Sequence, residues 1–188
     1  MIYRDLIDLE EQFNYLLNKF GSNIIYVRHS DIMKCDCYNE LFKKGDPDCN
    51  KCLGSGNALG IRMSKIIIKN NLGDYKEMTS GFEISKSTTL YMPNTYKPKV
   101  GDYILFAEYD KNGYVNNITD VYEVSCPNET RGDNGKIEFF SLKGILRKDK
   151  TSSFNKLIKN MSSFKKKLLK DGRCIDARRI WKYTRAIW

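Results

Sequence analysis

The sequence predicts an α+β protein in which a small antiparallel β-barrel, of the SH3 or OB kind, is flanked by an N-terminal and a C-terminal helix. Short β-branched and aromatic runs separated by turn residues fill the middle of the chain, and apolar residues recur at helical spacing near both ends. A length of 188 residues suits one such domain with appendages. A sandwich of the same strands is the alternative.

Each element follows from a local pattern. Residues 3–20 predict the first helix, because apolar side chains recur every three or four residues and Gly21 supplies a stop. A second helix is expected to begin near Ser153 and to end at Gly172. The predicted strands are 23–29, 61–69, 82–85, 88–92, 103–109, 118–125 and 136–146. The predicted parts of the chain are the N-terminal helix at 1–22, the barrel domain at 23–147, and the basic C-terminal helix and docking tail at 148–188.

The most specific pattern lies in residues 35–56, where the periodicity disappears and the sequence reads C-x-C, eleven residues, then C-x-x-C-x-G-x-G. Two thiolate pairs separated by a loop match a tetrahedral zinc site, and four protein ligands make that Zn²⁺ structural because no position is left for water. Disulfides, which would need an oxidising compartment, and free thiols are the alternatives. The predicted ligands are Cys35, Cys37, Cys49 and Cys52.

Other residues near this cysteine module (residues 35–56) have expected supporting roles. Gly54 and Gly56 are expected to adopt positive φ, so that backbone N–H groups can point at the sulfurs. His29 is expected at a strand end or behind the ligands, because the set of four is complete without it. Cys126 and Cys174 are expected to be small buried residues with no functional role.

Charge is distributed unevenly along the chain. The sequence has 32 Lys+Arg and 23 Asp+Glu, a formal net charge of +9, and residues 143–188 alone carry +12, which leaves −3 for the rest. A basic segment of this kind is typical of a contact with nucleic acid or an acidic protein surface, although a solvated helix face gives the same count. The residues predicted to contact a polyanion such as non-specific DNA are Lys165, Lys166 and Lys167.

Both tryptophans lie in the last eight residues, among arginines and other aromatic side chains. Aromatic and Arg side chains are favoured interface anchors, so the terminus is predicted to dock onto a partner, with packing back on its own barrel as the alternative. The predicted docking residues are Arg178, Arg179, Trp181, Tyr183, Arg185 and Trp188.

The sequence lacks the motifs of several common enzyme classes. It contains no G-x-x-x-x-G-K-[ST], H-E-x-x-H or G-x-S-x-G pattern, and it has one His. We therefore expect no enzymatic activity. No apolar run approaches the ~18–20 residues that cross a bilayer, and the N-terminus lacks a signal-peptide pattern, so we expect no membrane partner and a protein that stays where it is made.

The order of these motifs resembles small virion proteins of tailed bacteriophages. The resemblance covers roughly residues 23–147 and rests on Tyr26-Val27-Arg28-His29, the cysteine module, the run at 100–104 and the turn at 131–136. It implies a head-to-tail connector, neck or stopper protein that forms a homo-oligomeric ring, contacts portal, connector or tail subunits, has no catalytic residues, and is made in the host cytoplasm before it enters the virion. The C-x-x-C-x-G-x-G half also looks like the zinc repeats of J-domain chaperones, but the first pair departs from them and no J-domain signature is present.

The alternative function is a nucleic-acid-binding zinc protein whose basic C-terminal tail tracks phosphate. The cysteine module itself has three Lys against three Asp and one Glu, which makes it a poor surface for DNA.

Overall fold

The computed structural model builds the chain around antiparallel strands, and it describes residues 9–49, 51–69, 75–78, 81–84, 87–109, 111, 115–132 and 135–160. For residues 75–78, 81–84, 87, 159 and 160 the description is of the backbone alone. The elements are α1 (Leu9–Phe20), β1 (Ser22–Lys34), β2 (Asn57–Lys69), β3 (Tyr75–Met78), β4 (Gly81–Ile84), β5 (Ser87–Pro93), a 3-10 turn (Asn94–Tyr96), β6 (Tyr103–Tyr109), β7 (Val115–Arg131), β8 (Ile137–Leu146) and α2 (Lys148–Asn160).

Six of these strands form one antiparallel sheet in the order β1-β2-β5-β8-β7-β6, and β6 pairs back with β1, so that the sheet closes as a barrel. The hairpin of β3 and β4 is a separate two-stranded sheet. The predicted α+β class with antiparallel strands is confirmed. Similarity to the SH3 or OB fold stays a prediction.

The interior of the barrel is filled by side chains from all six strands. Successive residues of a strand point to opposite faces, so one alternating set from each strand meets inside. This set is almost fully shielded from water and comprises Ile24, Tyr26, Ile66, Leu90, Met92, Ile104, Val124, Phe140 and Leu142.

A second apolar cluster lies on the outer face, under α2. The helix places Phe154, Leu157 and Ile158 against Ile25 and Val27, which are the outward-facing residues of β1. Because β1 is thus covered on both faces, every residue from 24 to 28 is buried. This strand is the structural centre of the domain, and the cysteine module begins where it ends.

The helices differ from the predictions at their ends. The described part of α1 buries only Phe13 and Leu17, whereas Leu16 and Phe20 of the predicted apolar face are 43% and 64% exposed. The second helix begins at Lys148 rather than near Ser153, because β8 ends at Leu146 and an acidic residue already occupies the first turn, where it favours the helix dipole. Predicted helical residues 3–8 and 161–172 lie outside the described residues.

The strand predictions were largely right in position and too short in extent. The structure adds β3 as the partner of the strand predicted at 82–85, and β7 continues to Arg131 rather than ending at 125. Within the described ranges, neither helix has the length and apolar character needed to cross a membrane.

Candidate metal centre

The cysteine module is the connection between β1 and β2, and it continues the hairpin that these strands form. Lys34 pairs with Asn57 at the end of the ladder, and the Cys35 N–H donates to the Gly56 carbonyl at 2.9 Å. The first and last residues of the module are therefore fixed side by side by the barrel. Both cysteine pairs start from this rigid base.

The four predicted ligands come together in the structure. Their sulfur atoms all lie within 4.8 Å of one another, with 3.8 Å between Cys35 and Cys49 and 3.3 Å between Cys37 and Cys52. Four thiolates around one ion at ~2.3 Å would be roughly 3.8 Å apart, whereas a disulfide needs ~2.05 Å. All four cysteines are free, and the arrangement is consistent with a metal site.

The four thiols differ in pKa, because their surroundings favour the thiolate to different extents. Burial raises the pKa values of the Cys35, Cys37 and Cys52 thiols. Burial also acts to raise the pKa of Cys49, but the backbone N–H groups of Cys52 and Lys51 outweigh it, together with neighbouring thiols, and lower that pKa to about 7. Cys49 is thus the thiol most ready to become a thiolate, which is the form that binds metal.

Gly54 and Gly56 adopt positive φ as predicted, and a third glycine, Gly45, is needed where the backbone folds back on Gly56. Gly54 and Gly56 have φ of +83° and +74°, and the Gly56 N–H donates to the Cys52 sulfur at 3.3 Å. A Cβ on Gly45 would lie 2.4 Å from the Gly56 nitrogen, so the two backbones can touch only because both residues lack side chains. Sequence reasoning missed Gly45. Its position between the two cysteine pairs was the available signal.

The arm between the cysteine pairs is a tight turn that exposes apolar side chains. The Asn39 N–H donates to the Lys44 carbonyl at 2.9 Å, and the Asn39 Oδ1 accepts from the N–H groups of Leu41 and Phe42 at 2.9 and 3.2 Å. These bonds fix residues 39–44, the module tip, without any side-chain core. Leu41 is 89% exposed and Phe42 is 73% exposed.

His29 lies outside the ligand group, as predicted, but inside β1 rather than at the predicted strand end, because the strand continues to Lys34. Its ring meets that of Tyr103 edge-on at 5.7 Å, and its Nδ1 is buried without a hydrogen-bond partner within the described ranges. Burial lowers the pKa of His29, against the opposing effect of Asp102 and Glu123. The residue is a packed side chain of β1.

Cys126 was expected to be buried and is exposed. The register of β7 against β8 shifts between Val124 and Cys126, and this irregularity ends the strict alternation of buried and exposed residues. The remaining predicted sites cannot be placed, because they lie outside the described residues. They are Lys165, Lys166, Lys167, Cys174, Arg178, Arg179, Trp181, Tyr183, Arg185 and Trp188.

Sequence reasoning missed a buried ionic cluster around Arg28 and Asp102. Asp102 is 2% exposed and accepts hydrogen bonds from Tyr26, from Arg28 Nε at 3.3 Å and from the Lys99 N–H at 2.8 Å. The Arg28 guanidinium also donates to the carbonyls of residues 96 and 97. These contacts hold the segment before β6 against the barrel. A charged residue inside the β-branched run of β1 was the signal for it.

No protein-family model matches the chain, and the search of curated proteins found no match either.

Proposed function

We propose that this protein is a non-enzymatic structural subunit of a tailed-phage virion, a ring-forming head-to-tail connector or neck protein, in which Zn²⁺ bound by the four cysteines stabilises the module. The observation that carries the metal is the gathering of four free thiols within 4.8 Å on a loop that lacks a core. The resemblance of the motif order to connector proteins carries the biological role.

The donor set favours zinc. Four thiolates select soft or borderline ions, and tetrahedral sulfur coordination is typical of structural Zn²⁺ or of iron–sulfur centres. The Gly56 N–H donates to the Cys52 sulfur, and hydrogen bonds of this kind to a ligand tune such a site. With all four positions taken by protein, the ion would act as a cross-link, and this chain's residues would leave it no place to bind a substrate.

The shape of the domain supports an assembly role. The six strands of the closed sheet have no free edge, so a neighbouring chain cannot add a strand to the barrel. The module tip projects with Leu41 and Phe42 exposed, and α1 carries Tyr15 and Phe20 at 61% and 64% exposure. Exposed apolar groups concentrated on a few elements are typical of interaction surfaces.

Native mass spectrometry of the full chain tests both parts of the proposal. We expect one zinc per chain and a ring of defined stoichiometry. Zinc is expected to be lost in Cys49→Ser and retained in the matched control Cys126→Ser, whose thiol is exposed and is not in the group of four. Failure to bind zinc under reducing conditions would refute the metal assignment. A monomer at every concentration would refute the ring.

The second candidate, a nucleic-acid-binding zinc protein, is favoured by the +12 charge of residues 143–188. An electrophoretic shift with non-specific DNA that weakens steeply with salt, and that is lost when Lys165, Lys166 and Lys167 are replaced by Ala, would support it.

Deletion of residues 178–188 is expected to impair assembly more than folding if the connector role is correct. A large fall in melting temperature on that deletion would instead make the terminus part of the core.

A further inference from the structure

The four sulfurs of the cysteine module meet in two contacts, each of which joins the C-x-C pair to the C-x-x-C pair. The Cys35 sulfur lies 3.8 Å from the Cys49 sulfur, and the Cys37 sulfur lies 3.3 Å from the Cys52 sulfur. A disulfide has an S–S distance of ~2.05 Å, so each pair needs to close by less than ~2 Å. The two contacts are therefore candidates for two specific disulfides.

Hydrogen bonds on both sides of the sulfurs hold the two halves of the module side by side. At the base, the Cys35 N–H donates to the Gly56 carbonyl at 2.9 Å, and the Gly56 N–H donates to the Cys52 sulfur at 3.3 Å. Toward the tip, the Asn39 N–H donates to the Lys44 carbonyl at 2.9 Å. The chain itself makes these bonds, so the same backbone suits either a metal held by four sulfurs or covalent bonds between facing sulfurs.

Both contacts are open to an oxidant. Cys35, Cys37 and Cys49 are partly exposed, whereas Cys52 is buried. Each contact therefore contains a sulfur that a small oxidant reaches from solvent and a facing sulfur that is placed to react with the product. An accessible cysteine next to a second, resolving cysteine is the arrangement in which oxidation ends at a disulfide.

We propose that peroxide oxidation replaces the metal of the module by two disulfides, Cys35–Cys49 and Cys37–Cys52. In each contact, one peroxide molecule oxidises the exposed thiolate to a sulfenic acid and is reduced to water. The facing sulfur then attacks the sulfenic sulfur, the S–S bond forms, and the sulfenic oxygen leaves as a second water. In total, four zinc-bound thiolates, two peroxide molecules and four protons give two disulfides, four waters and one free Zn²⁺.

The inference deepens the proposed function and rests on it for the bound Zn²⁺. Thiols stay reduced in a cytoplasm and form disulfides outside the cell. A virion protein that is made in the first setting and used in the second would exchange one cross-link for the other. The module would then stay closed, and keep its tip in place, in both settings.

Hydrogen peroxide treatment of the full-length, zinc-loaded protein tests the pairing. The protein carries Cys126→Ser and Cys174→Ser, so that all its thiols belong to the module. Digestion with trypsin and an Asp-specific protease places each of the four remaining cysteines on its own fragment, because a lysine or an aspartate lies between every two successive ones. The digest is kept unreduced, so that linked fragments stay together.

Mass spectrometry of this digest is expected to find Cys35 joined to Cys49 and Cys37 joined to Cys52 in most molecules, with one zinc released per chain. Any other pairing as the main product would overturn the proposal, since the contacts of the structure would not direct the oxidation. Sulfinic acids in place of disulfides would overturn it as well.

Hydrogen exchange measures whether the disulfides keep the module closed. Residues 35–56 of the oxidised, metal-free protein are expected to keep the protection of the zinc form, and to lose it when dithiothreitol reduces the disulfides in the presence of a chelator. The reduced and chelated protein is the matched control, because it has the same sequence and lacks both cross-links. Equal exchange before and after reduction would show that the disulfides do not replace the metal.

The zinc content before oxidation separates this inference from the proposed function. A reduced protein that binds no zinc and still forms the two disulfides would uphold the pairing and refute the metal assignment. A protein that binds one zinc per chain and forms other disulfides would overturn the pairing and leave the metal assignment in place.

Discussion

The barrel and the cysteine module meet at the β1–β2 hairpin and are stabilised by different interactions. The barrel buries apolar side chains from six strands and covers β1 with α2 on the outside. Within the described part of residues 35–56, Cys52 is the only buried residue that has a side chain, and the apolar Leu41 and Phe42 face solvent. The module has a hydrogen-bonded backbone and four thiols in place of a core.

This difference shows how a short insertion can be rigid without burying apolar surface. A loop of this size cannot form a hydrophobic core, so natural proteins of similar size use a metal or disulfides. When the cross-link supplies the stability, the apolar residues of the loop are available for contact with another molecule.

Removing the metal is expected to have the largest effect, confined to the module. Structural zinc in small modules contributes apparent binding free energies of about 10–16 kcal/mol, and this energy is also folding energy. We expect chelation to open residues 35–56 to hydrogen exchange and proteolysis, while the amides of β5 and β8 stay protected. Loss of protection throughout the barrel, or unchanged protection in the module, would contradict the separation of the two regions.

A matched pair of phenylalanines probes the next largest effect. Phe154 of α2 is fully buried against the barrel, so Phe154→Ala is expected to lower the free energy of unfolding by about 3–5 kcal/mol. Phe42 is 73% exposed in the module, so Phe42→Ala is expected to change it by less than about 0.5 kcal/mol. Urea denaturation of both variants gives the comparison. Similar costs for the two would mean that the module tip packs on the barrel.

Sequence patterns predicted the two regions with unequal success, for physical reasons. Metal spacing is a local property of the chain, so the four ligands and the positive φ of Gly54 and Gly56 could be read without knowledge of the fold. The close approach of Gly45 to Gly56 depends on how the loop folds back, and spacing does not record it.

The barrel shows the same limit. Alternating apolar residues and β-branched residues predicted the positions of most strands. Which strands pair with each other could not be predicted, because the pairing depends on contacts between distant residues, such as those of β1 with β6. The exposure of Cys126 follows from a shift of register in β7, which the local sequence does not reveal. The Arg28–Asp102 pair joins residues 74 positions apart, so no local pattern shows that these two side chains pair.

That buried pair predicts a third effect, on the barrel alone. Asp102→Asn removes the carboxylate that pairs with the buried Arg28 guanidinium, and breaking a buried pair from one side costs about 3–5 kcal/mol. The amide can keep some of the hydrogen bonds of the carboxylate, which places this variant near the lower value. Asp31→Asn removes the partner of Lys99 at the surface, where both side chains are more than half exposed, and is expected to cost less than about 1 kcal/mol. Zinc content should be unchanged in both. Equal stabilities would show that the cluster contributes nothing to the barrel.

The smallest predicted effect concerns the pH dependence of barrel stability through His29. Burial lowers the pKa of His29 below its ordinary value of 6.5, so in acid the unfolded chain binds more protons at this site than the folded chain does. The stability that depends on neutral His29 is therefore present above pH 6.5 and is lost as the pH falls below it.

Acid also protonates the cysteine thiols, so the test must compare two proteins under the same conditions. We expect His29→Phe, which keeps a ring against Tyr103 but cannot titrate, to lose less unfolding free energy than the parent between pH 7.5 and pH 5.5. The charged groups that act on this position, Asp102, Glu123 and Lys150, are the same in both proteins, so the difference isolates the imidazole. Parallel losses in urea denaturation would mean that acid weakens this protein through its module and not through its barrel.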